Sequence, residues 1–360
     1  MRRFIFLLLA CTITLVQCKQ AEQKVTKEEA MKFAAGMEQA AIKRSSNLIA
    51  ANIILPALTS RMAKEKEIKD LDEIEKGMAQ GLKNSELDRN VYDILGKNGS
   101  FEKVKLYEKD GIQRIIFRAY GDDGLNYLDM ELTKLNDKVG IADMLVYSSG
   151  ENISKSLADL MKKMMDEPYD KNAEDATATF RIIKRLMAKG NYKEAKKEFD
   201  QLPYYVKSTR IADVLNIQIS SNLGNEIYMK EIEKFEIKYA GEPNVQLTMI
   251  DLYFLRKDYD KALTAINVID SVINKDSFLD YYRGLVWNVK GNSDKAIEYY
   301  KKVTESNPAF PGAYAELMAH YLERNDRQQA KMYFTKYKGL RDAKDNVINT
   351  YETVYPFLKE

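Results

Sequence analysis

The segment GNSDKA at 291–296 has relatives at a fixed distance on both sides. KDYDKA at 257–262 begins 34 residues before it, and NDRQQA at 325–330 begins 34 residues after it. A fourth copy, GNYKEA at 190–195, lies 67 residues before the first of these, which is close to two periods with one degenerate unit between them. Each copy reads as a turn followed by a helix with an alanine. A fixed period of this kind indicates stacked pairs of helices.

Thirty-four residues is the period of the tetratricopeptide repeat, and the C-terminal half resembles that family. The first helix of each pair must approach the second closely, so small residues are needed at the contact and large ones beside it. The resemblance implies about five repeats over 176–344 and a capping helix over 345–360; in the second repeat Met229 replaces the alanine. The positions that it assigns to helix packing are Ala195, Ala262, Gly284, Trp287, Ala296, Tyr300, Pro308, Tyr321, Ala330 and Phe334.

The first helices of such repeats line a concave groove, which is the surface that solenoids use for binding. Repeats that clamp a carboxylate carry Lys and Asn at several groove positions, and this chain lacks that basic set. Two alternatives remain open: the groove binds a protein or peptide, or it packs on the N-terminal domain or the capping helix. The predicted groove residues are Asn244, Leu247, Asp251, Phe254, Phe278, Tyr281, Leu285 and Asn288.

The N-terminal half changes its hydrophobic period from 3.6 to 2 after residue 100. Helices are predicted after a capping-box pattern at 26–29, and four strands joined by tight turns follow as an antiparallel meander. Val104 and Leu106 are expected on one face of the first strand. The last strand and its Ser-Gly-Glu turn, 138–151, resemble those of NTF2-like or cystatin-like modules. The resemblance implies an α+β domain over 26–155, with a linker helix over 156–175.

The chain begins with a basic, then apolar segment that is typical of an export signal. Residues 4–16 are nearly all apolar, too few to span a bilayer comfortably, and Cys18 follows them. The arrangement resembles the lipobox of Bacteroidetes-like lipoproteins, with Gln17 in place of the usual small residue and Cys11 as an alternative lipid site. We therefore expect a signal peptide over 1–18, a tether over 19–25 and an exported protein anchored by lipid, most simply in the outer membrane. No further cysteine occurs, which excludes an internal disulfide in the mature chain.

The composition argues against most catalytic and nucleic-acid-binding classes. The formal net charge is +2, so there is no basic excess for nucleic acid. His320 is the only histidine, and we expect it to be a packing residue. No metal ligand set, cofactor motif or phosphate loop is recognisable. Asp129 and Asp143 are the only acid candidates, and strand alternation places both on a polar, tyrosine-rich face.

The sequence therefore predicts a multidomain protein, in which an α+β domain with a four-stranded antiparallel meander precedes an all-α tetratricopeptide solenoid. The predicted function is a non-enzymatic scaffold that binds proteins or peptides and needs no cofactor or metal. A small-ligand or glycan binder is the alternative, with Tyr107 and Tyr147 at the cone of the N-terminal domain. An isomerase or hydrolase in that cone is a third reading.

Overall fold

The structure is a computed structural model that describes residues 21–45, 48–66, 71–83, 88, 91–92, 95–96, 99–121, 124–166, 172–242 and 244–359. Its first helices are α1 (Lys27–Ile42), α2 (Leu55–Glu65) and α3 (Leu71–Lys83). Thr26 caps α1 as predicted: its hydroxyl accepts a hydrogen bond from the Glu29 amide, and the Glu29 carboxylate accepts one from the Thr26 amide. The capping box satisfies amide groups that a helix otherwise leaves without partners.

An antiparallel sheet follows, in which each strand pairs with the next along the chain. The sheet contains the four expected strands and a fifth strand of two residues. The strands are β1 (Ser100–Lys109), β2 (Ile112–Gly121), β3 (Gly124–Leu135), β4 (Lys138–Val146) and β5 (Glu151–Asn152).

One face of this sheet packs against α1. Phe117 and Met130 are fully buried there with Ala34 and Met37 of the helix, and Met144 joins the same cluster. Helix α1 therefore covers the apolar face of the sheet. Phe117, Met130 and Met144 are core residues of the domain and pack against α1.

The register of β1 differs from the prediction at one point. A β-bulge between Lys103 and Lys105 leaves Val104 without a paired residue on β2. Val104 therefore packs on the opposite side of the sheet from Leu106, which stays with the α1 cluster. A bulge adds one residue to a strand and so reverses the alternation of side chains beyond it.

The described part of the segment predicted as a tether, residues 21–25, lies against the domain. Gln23 exchanges backbone hydrogen bonds with Lys134 of β3, at 2.9 and 3.1 Å. Val25 is buried in the sheet–α1 cluster, and Glu22 forms an ion pair with Arg61. These contacts hold residues 22–25 to the sheet and to α2.

The C-terminal half is an array of consecutive, packed helical pairs, which confirms the predicted helical repeats. It is preceded by α4 (Ile153–Asp166), which packs on α2 through Ala158 and on the array through Leu160 and Met164. The array helices are α5 (Asn172–Ala188), α6 (Tyr192–Asp200), α7 (Tyr204–Lys207), α8 (Arg210–Ser220), α9 (Asn225–Lys238), α10 (Gln246–Leu255), α11 (Tyr259–Ile273), α12 (Leu279–Val289), α13 (Ser293–Ser306), α14 (Pro311–Glu323), α15 (Arg327–Lys338) and α16 (Asp345–Val354).

The small positions lie where paired helices touch. Gly284 of α12 faces the ring of Tyr300 of α13, and a Cβ atom at Gly284 would lie only 2.4 Å from the Tyr300 Cε1 atom. No larger residue fits there without moving that ring. The other small and aromatic contact positions are almost fully buried: Ala195, Ala262, Ala296, Ala330, Phe334 and Tyr300 itself.

The remaining predicted packing residues lie at the edges of these contacts. Tyr321 stacks on Tyr333, with ring centroids 5.5 Å apart. The Pro308 carbonyl accepts a hydrogen bond from the Tyr314 hydroxyl at 3.1 Å. Trp287 is half-buried, and the Lys295 ammonium lies 3.9 Å from the centre of its ring. Among the described residues, no helix is both long and apolar enough to cross a membrane.

Candidate functional site: the concave face of the array

The polar, tyrosine-rich face of the sheet packs against α10, α11 and α12 of the array, on the side where the sequence predicts the groove. Ile116, Tyr127 and Tyr147 of the sheet form one buried cluster with Leu247 and Ile250 of α10. The Thr248 hydroxyl also donates a hydrogen bond of 2.6 Å to the Ser148 carbonyl. Part of the predicted groove is therefore occupied by the protein's own sheet, which was one of the two alternatives.

A buried ion pair lies at the centre of this contact. The Arg118 Nη1 atom of β2 donates to both carboxylate oxygens of Asp276, at 2.7 and 2.9 Å, and both side chains are 5% exposed. The Tyr127 hydroxyl donates to the same carboxylate at 2.8 Å, and so does the Phe278 amide at 3.1 Å. Burial, and then the Asp276 charge, raise the pKa of Tyr127 well above its usual value. The Asp276 carboxylate is thus satisfied by donors from both the sheet and the array.

Phe278 forms the apolar part of the same contact. It is 1% exposed, and its ring centroid lies 4.7 Å from that of Tyr120 and 4.9 Å from that of Phe310. The Arg118 guanidinium lies 4.5 Å from the centre of the Phe278 ring, within cation–π distance. Phe278, which the sequence assigned to a partner-binding groove, is in this structure a contact between the sheet and the array.

The other predicted groove residues surround this contact. Asn244 lies against the sheet, where a Cβ atom at Gly150 would lie 2.5 Å from its carbonyl oxygen. Phe254, Tyr281 and Leu285 are half-buried. Asp251 and Asn288 are exposed, so these two positions are open to a binding partner.

Asp251 is recessed although solvent reaches it. The Tyr228 hydroxyl donates a hydrogen bond to its Oδ2 atom at 2.6 Å. Surrounding protein raises the pKa of Asp251, and the hydrogen bond from Tyr228 only partly opposes that shift.

A second carboxylate of the concave face was not predicted. Glu316, on α14, lies beside the Tyr300 hydroxyl, and Asn288 lies beside the same hydroxyl. Burial raises the pKa of Glu316, hydrogen bonding with the Tyr300 hydroxyl partly opposes that shift, and the nearby Glu323 charge adds to it. An acid within a mostly apolar helix was the signal that could have identified Glu316.

Asp129 and Asp143, the two acid candidates, have structural partners. Asp129 accepts a hydrogen bond from the Tyr107 hydroxyl at 2.6 Å and pairs with Arg114 at 3.0 Å. Asp143 accepts from the amide and hydroxyl of Ser154, at 3.1 and 2.6 Å, and thereby satisfies the first turn of α4. Burial raises the pKa of Asp143, while its hydrogen bonds lower it. In the β3–β4 ladder Asp143 lies opposite Glu131 and Asp129 lies opposite Leu145, so the two candidates do not face each other.

His320 is buried within the last repeat. It is 3% exposed, and its Nδ1 atom lies 3.0 Å from the Ser293 hydroxyl. Burial lowers its pKa, which favours the neutral ring.

Among the described residues, no group of three His, Cys, Asp or Glu side chains is arranged to hold a metal ion. Cys18, Cys11 and the predicted signal peptide lie outside the described residues.

Comparison with known proteins adds only distant likenesses. No family model and no curated protein matches this chain. A solved structure of MamA 41-end from Desulfovibrio magneticus RS-1 is 18% identical, with a TM-score of 0.39, over 47% of this chain and 97% of that chain. Another structure of MamA is 19% identical, with a TM-score of 0.33, over 48% of this chain and 98% of that chain. At these TM-scores function has to be argued from the geometry of the chain itself.

Proposed function

We propose that this protein is a non-enzymatic, lipid-anchored scaffold of the bacterial cell envelope, and that it binds a protein or peptide on the concave face of its array. The observation that carries the proposal is a stack of helical pairs whose concave side keeps Asp251 and Asn288 accessible beside the docked sheet. Stacked repeats provide an extended surface of this kind, which suits binding to a chain more than turnover of a small substrate.

The docked sheet gives this scaffold a fixed shape. Because Arg118, Tyr127 and Phe278 join the sheet to the array through buried contacts, the groove is held in one geometry before a partner arrives. A preorganised surface loses less conformational freedom on binding, which favours affinity. The support for a scaffold is therefore both the accessible groove and its rigidity.

A photo-crosslinking residue at Asn288 should capture a partner in cells, because this side chain is exposed on the concave face. A matched crosslinker at Glu298, an exposed position on α13 that pairs with Lys302, is the control. Mass spectrometry of the crosslinked products is the measurement. Identical products from the two positions, or none from Asn288, would contradict binding at the groove.

The lipid anchor predicts a second result, which depends on Cys18. The wild-type protein should incorporate labelled palmitate and remain with the membrane fraction, because several acyl chains bind a bilayer stably. Cys18→Ser should lose the label and appear in the soluble or unprocessed fraction. Cys11→Ser is the control, and it should behave as wild type; if only this variant loses the label, the lipid site is Cys11.

A further inference from the structure

The helical hairpin of α5 and α6 carries positive charges at a regular spacing. Residues 181–197 contain seven Lys or Arg residues and a single acid, Glu194, although the whole chain is nearly neutral. Five of the seven are exposed and follow one another at intervals of four residues; these form the basic face of the hairpin: Arg181, Arg185, Lys189, Lys193 and Lys197. Residues four apart are neighbours on a helix surface, so the basic face runs along α5, around the turn and along α6.

None of these five cations has an ion pair with another described residue. By contrast, Lys302 pairs with Glu298 and Lys234 pairs with Glu231 on their own helices of the array. Like charges four residues apart destabilise a helix. Lys193 also lies in the first turn of α6, where the helix dipole disfavours a cation. The basic face therefore costs stability in the isolated protein, and an anionic ligand would remove that cost.

An exposed apolar side chain lies among these cations. Ile182 is 43% exposed, and it precedes Arg185 by three residues and Lys189 by seven, which places it on the same side of α5. The opposite side of α5 is the one that packs in the array, where Ile183 is fully buried. Cations beside an exposed apolar side chain suit a membrane surface, because the cations bind anionic headgroups while the apolar group enters the interface.

The hairpin also lies close to the point at which the chain leaves for its proposed anchor. The chain from Cys18 to Glu22 can span at most about 14 Å, and Glu22 is bound to Arg61 of α2. Helix α2 packs on α4 through Ala158, and α4 packs on the hairpin through Met164. Packed helices lie about 8–10 Å apart, so the hairpin is about 20 Å from α2. A membrane that holds the anchor is therefore within reach of the basic face.

We infer that the basic face of the α5–α6 hairpin docks on the anionic headgroups of the membrane that holds the lipid anchor. This inference rests on the proposed function, because the anchor supplies the membrane. The anchor keeps the hairpin near the bilayer, so the headgroup contacts form at a high effective concentration. With two attachment points, the anchor and the hairpin, the array is held against the membrane in one orientation.

The test measures how much of the chain from residue 19 to residue 360 sediments with lipid vesicles. This form keeps every described residue and lacks the acyl chains, so binding reports on the folded surface and not on the anchor. The probe vesicles contain phosphatidylglycerol and phosphatidylcholine in equal amounts, and the control vesicles contain phosphatidylcholine alone. Each Lys or Arg beside an anionic surface strengthens binding about fivefold, so the anionic vesicles should bind at least about a hundredfold more tightly. Added salt should weaken this binding by screening.

A pair of matched double variants assigns the binding to the hairpin. Arg185→Gln with Lys189→Gln removes two cations of the basic face and should weaken binding to the anionic vesicles by about twenty-fivefold. Lys230→Gln with Lys234→Gln removes the same charge from two exposed positions, four residues apart on α9, and should change binding by less than about threefold. Both variants alter exposed side chains, so both should melt within a few degrees of the wild type. The hairpin variant also relieves repulsion between like charges, so it should melt no lower than the control.

Several outcomes would overturn the inference. Equal binding to neutral and anionic vesicles, or equal losses in the two double variants, would mean that the hairpin is not a membrane-docking surface. A glutamate-rich peptide that binds the basic face while anionic vesicles do not would identify an acidic protein segment as the ligand instead. If Cys18 is acylated and crosslinks at Asn288 capture a partner, but the vesicles do not bind, the scaffold stands and its membrane orientation fails. Vesicle binding without acylation of Cys18 would support the docking surface and refute the anchor.

Discussion

Asp276→Asn is expected to lower the free energy of unfolding by about 3–5 kcal/mol, which is the usual cost of breaking a buried ion pair by removing one partner. The change leaves the Arg118 guanidinium, 5% exposed, without the carboxylate that neutralises it across the sheet–array contact. The remaining ionic partner of Arg118 is Glu102, whose side chain is 51% exposed and so compensates little. The other hydrogen-bond acceptor, the Asn307 Oδ1 atom at 3.3 Å, is neutral. Urea unfolding monitored by circular dichroism measures this loss of stability.

An exposed ion pair of the same array provides the control for this experiment. Asp294 pairs with Arg324 at 2.7 Å, but its side chain is 87% exposed. Asp294→Asn should therefore cost only about 0–1 kcal/mol. Equal losses in the two variants would mean that the Arg118–Asp276 pair is not buried in solution, and the docking of the sheet on the array would then be wrong.

The helical array could be predicted because its determinants are local. Gly284 and Tyr300 lie in one repeat, and the contact between them is a property of a single helical pair. The same spacing recurs along the chain, so each repeat supports the assignment of the next. The strand order was also predictable, because every strand pairs with its neighbour in sequence.

The sheet–array contact could not be predicted from pattern alone. Arg118 and Asp276 are 158 positions apart, and no period connects them. A charged residue that alternates with apolar ones, as Arg118 does, normally indicates the solvent-exposed face of a strand. A buried face can be told from a solvent-exposed one only when the surface that packs against it is known, and that surface is visible only in the three-dimensional structure. The bulge at Val104 was not predicted either, because it depends on how the backbones of β1 and β2 pair and not on the side-chain pattern.

The candidate site was predicted in part for the same physical reasons. Asp251 and Asn288 follow from the register of the repeats, since first-helix positions of a solenoid face its concave side. Glu316 could not be predicted in this way, because its environment depends on Tyr300 and Tyr281, which other helices bring beside it.

Phe278→Ala should destabilise the protein by about 3–5 kcal/mol, because truncating a fully buried aromatic ring removes its contacts and leaves a cavity. The ring lies between Tyr120 of the sheet and Phe310 of the array, so the cavity would open at their contact. Tyr204→Ala, at a side chain that is 83% exposed, is the control and should change stability by less than about 0.5 kcal/mol.

The Phe278 variant also decides whether the sheet and the array unfold as one unit. Trp287, the only tryptophan of the chain, reports on the array by fluorescence, and hydrogen exchange of β2 and β3 amides reports on the sheet. If the docked contact couples the two parts, Phe278→Ala should lower the stability of the array, measured by Trp287 fluorescence, and the exchange protection of the sheet by the same amount. A double-mutant cycle with Tyr120→Ala should then give a coupling of about 0.5–1.5 kcal/mol, as for other packed aromatic pairs. Loss of array stability with unchanged protection of the sheet, and no coupling to Tyr120, would show instead that Phe278 serves the array alone and that its groove is free of the sheet.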